Sequence, residues 1–166
     1  MKGVHAVIAL AVVLGVPARA NEQAITVALS PEVIKCDVGD RVTLVVTLTN
    51  ASELPRYLHS DLARTLDYAV KHSSGAVVRR FHDPPLFGRA PEFTNQRIWL
   101  DAGKSIRFTQ RLPLTELGIR EPGEFNLVGF WTGNTKTELQ LESEDDDTSF
   151  AHSGPVRLLV SDRENR

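Results

Sequence analysis

The sequence predicts an all-β fold in which two antiparallel sheets, together about 7–9 strands, pack face to face. Three observations lead there. Apolar residues recur at every second position in several segments, glycine-bearing turns separate those segments at short intervals, and no segment sustains a helical period. The clearest stretch is Val42, Leu44, Val46 and Leu48, with Arg41, Thr43, Thr47 and Thr49 at the alternate positions. One face of such a strand is dry and the other wet.

In chain order, Ile25, Val27 and Leu29 give a strand ahead of the Val42 segment, and Leu66–Val70, Ala76–Phe81 and Arg97–Leu100 give three after it. From Lys104 onward Ile106, Phe108 and Leu112 alternate with Ser105, Arg107, Thr109 and Arg111. Glu124–Trp131, Thr137–Leu141 and Val156–Val160 complete the set. Val38-Gly39-Asp40, Ser73-Ser74-Gly75, Asp101-Ala102-Gly103 and Pro122-Gly123 supply glycine where the chain must reverse. Ser60–Arg64 and Thr115–Ile119 could each form one helical turn, too short to persist alone. Leu44, Val46, Phe108, Phe125 and Leu127 are expected to be buried together, with Trp99 and Trp131 in or beside the core because each lies within a strand.

Residues 1–20 read as a secretory signal peptide. Lys2 precedes an unbroken apolar stretch from Ala6 to Val16, too short to span a bilayer, and Pro17 ends it. Ala18-Arg19-Ala20 then places small residues where a signal peptidase reads, so cleavage is expected before Asn21. The lone cysteine, Cys36, lies well inside the mature chain, so it supplies neither a lipid-anchor site nor an internal disulfide. The mature chain divides into one domain, residues 21–162, and a short tail, 163–166. Its 17 basic and 21 acidic residues give a formal charge of −4 once Lys2 and Arg19 are lost, which does not attract nucleic acid. The acidic run Glu142–Asp147 is expected to be a solvated loop ahead of the last strand.

Four segments in order carry a family resemblance: Val46-Thr47-Leu48-Thr49-Asn50-Ala51-Ser52, Gly75-Ala76-Val77-Val78, Leu100-Asp101-Ala102-Gly103-Lys104-Ser105 and Glu121-Pro122-Gly123-Glu124-Phe125-Asn126-Leu127. Their order resembles bacterial secreted immunoglobulin-like domains. With Pro85-Leu86-Phe87-Gly88-Arg89-Ala90-Pro91 upstream of the Leu100 segment, it is similar to the non-catalytic N-terminal domain that precedes the protease in deuterolysin-like metallopeptidases. A looser likeness is to the small proteinase-inhibitor sandwiches of bacilli. The resemblance covers most of residues 40–131 and implies an immunoglobulin-like β-sandwich of accessory type. The zinc-binding His-Glu-x-x-His segment of those peptidases does not occur here, so their activity is not implied.

The chemistry of sites points the same way. His59, His72, His82 and His152 lack the close spacing of zinc ligands, and the acidic run lacks the alternating ligands and glycine of a calcium loop. There is neither a glycine-flanked serine elbow nor a histidine placed in sequence to activate Cys36. No enzyme activity, cofactor or metal is therefore expected. Asn50-Ala51-Ser52 matches a glycosylation sequon, but its expected role is to end a strand. The long proline-rich connection Asp83–Asn95 supplies the candidate binding residues Phe87, Arg89 and Phe93. The expectation is a periplasmic or secreted, non-catalytic module that binds an extracytoplasmic protein. The alternative is a small ligand- or metal-carrying periplasmic protein, which an exposed pair of histidines beside a carboxylate would favour.

Overall fold

The computed structural model describes residues 24–59, 66–80, 97–136 and 147–162. The signal segment 1–20, the Ser60–Arg64 turn, the Thr137–Leu141 strand and the tail 163–166 lie outside the described residues. Those described form eleven strands and no helix: β1 (Ile25–Ser30), β2 (Val33–Asp37), β3 (Arg41–Asn50), β4 (Arg56–His59), β5 (Leu66–His72), β6 (Val77–Arg79), β7 (Arg97–Leu100), β8 (Ser105–Pro113), β9 (Gly123–Lys136), β10 (Asp147–His152) and β11 (Val156–Ser161). A smaller sheet has the order β1-β3-β8. The larger has the order β2-β11-β9-β4-β7, with β10 and β5 also on β9 and β6 on β5. This is an immunoglobulin-like β-sandwich.

The 14-residue β9 organises the larger sheet. Its first half pairs with β11 on one side and β5 on the other, and its second half pairs with β10 and β4. Strands β10 and β11 thus follow one another along a single side of β9, interrupted at Ser153. The Ser153 N–H donates to the Gly129 carbonyl at 2.8 Å and its Oγ accepts the Gly129 N–H at 2.9 Å, so the break leaves no orphaned backbone at Gly129.

Three predictions about the strands need correction. There are eleven among the described residues rather than 7–9, because β2, β4 and β10, of 5, 4 and 6 residues, are too short for an alternation to stand out. Each is fixed by pairing with a neighbouring strand rather than by its own pattern. Asp147, read as loop, is the first residue of β10 and pairs with Thr135. The sheets are also not wholly antiparallel: the chain leaves β1 in the smaller sheet and runs as β2 parallel to β11 at the edge of the larger one.

The core lies between the sheets in two clusters. One holds Val42, Leu44, Tyr68, Val70, Phe125, Leu127, Leu158 and, closing that end, Leu114, Leu117 and Ile119. The other holds Ile25, Val27, Val46, Leu48, Leu58, Leu66, Leu100, Trp131 and Ala151. Leu29 packs against both. Opposite it stands Gly129, where an added Cβ would come within 3.1 Å of Leu29 Cδ1, so a side chain there would press on the Leu29 side chain. Gly39, Gly75 and Gly103 have φ of 88°, 92° and 70°, as their turns require. Thr115–Ile119 makes a single hydrogen-bonded turn rather than a helix.

Phe108 corrects another expectation. It faces inward but is only half-buried, packed against the second cluster, on a strand that has a neighbour on one side only among the described residues. The tryptophans divide: Trp131 is 1% exposed, whereas Trp99 on the edge strand β7 is 41% exposed.

Candidate binding surface

The predicted binding residues Phe87, Arg89 and Phe93 lie outside the described residues. The histidines that are described do not converge. His72 stands opposite Phe125 on the β5 side of β9, with its Nδ1 2.8 Å from Ser74 Oγ and its ring edge-on to Phe125 at 5.3 Å. His152 stands opposite Phe130 on the β10 side, its ring 6.2 Å from that phenylalanine. Cys36 is half-buried on β2, and burial, followed by the charges of Asp40 and Asp37, pushes its thiol pKa up. A thiol so placed is a poor nucleophile at neutral pH.

The buried polar groups join elements. Tyr68 donates its hydroxyl to Gln110 Oε1 across the two sheets, and burial, with the nearby Asp67 charge, holds its pKa above the ordinary tyrosine value. Arg79, 6% exposed, is paired with Asp67 at 2.7 Å. Asn50 is fully buried: its Nδ2 donates to the Leu54 and Leu100 carbonyls, each at 2.9 Å, while its Oδ1 accepts from the Ser52 N–H and Oγ. The sequon asparagine thus closes the end of β3, as expected, with both amide protons committed.

What remains is a surface. The outer face of the larger sheet has two unlike halves. Around the first half of β9 it is mixed, with Arg157 paired to Glu124, Lys35 and Lys71 exposed, and Val33 exposed opposite Arg157. Around the second half it is aromatic. Phe130 and Phe150 lie with ring centroids 5.8 Å apart, and His152 flanks Phe130. Farther along the same face Tyr57 and Trp99, directly opposite each other on β4 and β7, meet edge to face at 4.6 Å.

Register puts both groups on one side of the sheet. Leu58, next to Tyr57, is buried, as is Leu100, next to Trp99, while Gly129 and Trp131 on either side of Phe130 point inward. The indole N–H of Trp99 donates to Asp101 Oδ1 at 2.6 Å, which holds the exposed ring in one orientation. A large ring fixed in place and open to water loses little conformational entropy when a partner covers it.

No family model and no curated protein matches the chain. Among solved structures it is similar to the ASH/PapD-like domain of human CEP192 (PapD-like domain 7), at 13% identity over 99% of each chain and a TM-score of 0.39. A likeness of that degree adds nothing to the site, and the immunoglobulin-like fold rests on the strand pairing above.

Proposed function

We propose that the chain is an exported, non-catalytic binding module that holds an extracytoplasmic protein on the outer aromatic face of its larger sheet. One observation carries the reading. Of the eight Phe, Tyr and Trp side chains among the described residues, four (Tyr57, Trp99, Phe130 and Phe150) lie on that face, with Trp99 41% and Phe150 45% exposed. Protein interfaces are enriched in such aromatic anchors, and a sandwich has no need to expose them for its own stability. Among the described residues Trp99 also sits on an edge strand, where a partner can approach from the side as well as from above. The signal-like segment 1–20 supports export, and the resemblance to accessory domains of secreted peptidases supports a binding role without chemistry. The carrier alternative finds no support in His72 and His152, which stand on opposite sides of β9.

The test is affinity purification of the exported chain from its host, beside a Trp99→Ala, Phe150→Ala double variant. A protein recovered with the wild type should be lost with the variant, while the melting temperature moves by no more than a few degrees, as for partly exposed positions. Equal recovery by both chains, or recovery of a glycan alone, overturns the reading.

A further inference from the structure

The smaller sheet carries a second surface that the aromatic face does not explain. Strand β8 pairs with β3 in unbroken register from Arg41↔Pro113 to Thr49↔Ser105. Just beyond that ladder the Asn50 N–H donates to the Lys104 carbonyl at 3.0 Å and the Gly103 N–H to the Asn50 carbonyl at 2.8 Å, with Gly103 at φ 70°. This is a hydrogen-bonded pair split by a one-residue bulge. Hydrogen-bonded and non-hydrogen-bonded pairs alternate along an antiparallel ladder, so the next pair, Thr49 and Ser105, is non-hydrogen-bonded. The close spacing expected of such a pair is visible in the 2.7 Å contact between their hydroxyls. By the same alternation Ser105, Arg107, Thr109 and Arg111 turn their backbone N–H and C=O groups away from β3, toward an edge with no partner strand among the described residues.

The side chains flanking that edge are of two kinds. On the outer face Arg107 and Arg111 are exposed, and Arg41 on β3 lies diagonal to Arg111, across from Pro113. None of the three forms an ion pair or side-chain hydrogen bond among the described residues, and the other outward residues of β3 and β8 are Thr43, Val45, Thr47, Thr49, Ser105, Thr109 and Pro113, with no carboxylate. A face with three unneutralised arginines stands out on a chain whose formal charge is −2. On the inner face Ile106 and Phe108 are only half-buried, and no described strand flanks β8 on that side.

We propose that the free edge of β8 accepts an extended segment of a partner protein as a fourth strand, with acidic and apolar side chains alternating along it. Acidic residues of the added strand lie over Arg107 and Arg111, its apolar residues cover Ile106 and Phe108, and its backbone pairs with the four free positions of β8. A second copy of β8 does not fit, since it would bring arginine toward arginine. Two arginines four residues apart along the strand are about 13 Å apart, which matches acidic residues at the same strand period.

The probe is a blocked nine-residue peptide of alternating Glu and Val, compared with an isomer whose glutamates are contiguous and with vesicles containing phosphatidylglycerol. The alternating peptide should bind and protect the amides of Arg107, Thr109 and Arg111 from hydrogen exchange, and should weaken at least tenfold between about 50 and about 500 mM salt. Arg107→Glu with Arg111→Glu should lose that peptide and gain one in which Lys replaces Glu. Thr109→Pro removes a donor from the free edge but none from the β3 ladder, and should abolish binding. The charge-reversal pair decides the matter even if the proline variant unfolds. No binding of the alternating peptide at about 1 mM, equal binding of the contiguous isomer, or binding to vesicles alone overturns the proposal.

Discussion

Replacing Trp131 by alanine should lower the unfolding free energy by about 3–5 kcal/mol, near the upper end for a core truncation. The residue is 1% exposed and belongs to the cluster built from Ile25, Val27, Val46, Leu48, Leu58, Leu66 and Leu100. Those residues come from both sheets, so the cavity left behind would be bounded by two rigid ladders and could collapse only in part. The indole N–H has no acceptor among the described residues. Trp131→Phe, which keeps much of the ring contact and deletes that unmatched donor, should therefore lose far less. Trp99→Ala should cost less than about 1 kcal/mol, since its ring lies on the surface. Urea melts of the three variants, read by far-ultraviolet circular dichroism, check the ordering. A loss at Trp99 equal to that at Trp131 would place both rings in the core.

Asn50→Ala should be nearly as damaging, at about 3 kcal/mol, although it removes only a small polar group. Its amide holds the Leu54 and Leu100 carbonyls and receives both donors of Ser52, so one buried side chain ties the end of β3 to the following loop and to the end of β7. Alanine would leave the Leu100 carbonyl without its amide donor in a buried position. Asn50→Asp is the sharper test, because it changes almost no volume but faces a carboxylate with two carbonyl oxygens. Those oxygens and burial would raise the aspartate pKa in the folded state above its unfolded value near about 4. The folded state then binds more protons, so the variant's stability falls as pH rises through that range and recovers as it falls. Melts between about pH 3 and 7 showing the same loss throughout would mean that the side chain is not enclosed as described.

The sandwich was legible where a strand has one dry and one wet face. Val42 to Leu48 and Leu66 to Val70 show their burial directly in their alternation. It was illegible where a strand's existence depends on its neighbour. β10 buries Ala151 and is held by β9, a relation with no mark in Asp147–His152 itself. Phase was lost where apolar residues are contiguous. Ile98-Trp99-Leu100 and Phe130-Trp131 must each turn a large side chain outward, and periodicity cannot say which. Only the register, which puts Leu58 and Leu100 inside, exposes Trp99 and hides Trp131. Arg107 and Arg111 were legible as solvent-facing, but their grouping with Arg41 on a face without carboxylates needs the β3–β8 pairing. Phe108 had the right phase, yet the sequence does not say that its strand lies at an edge.

Site-directed photo-cross-linking in the living host asks whether the aromatic face meets a protein. Thr132, exposed next to Trp131 and paired with Phe150, is replaced by benzoylphenylalanine, and Glu116, exposed in the turn after β8, serves as the comparison. Irradiation should join position 132, and not position 116, to one envelope protein, and the adduct should vanish when Trp99→Ala and Phe150→Ala are added. Adducts of equal yield from both positions, or from position 116 alone, would contradict a partner seated on the outer aromatic face.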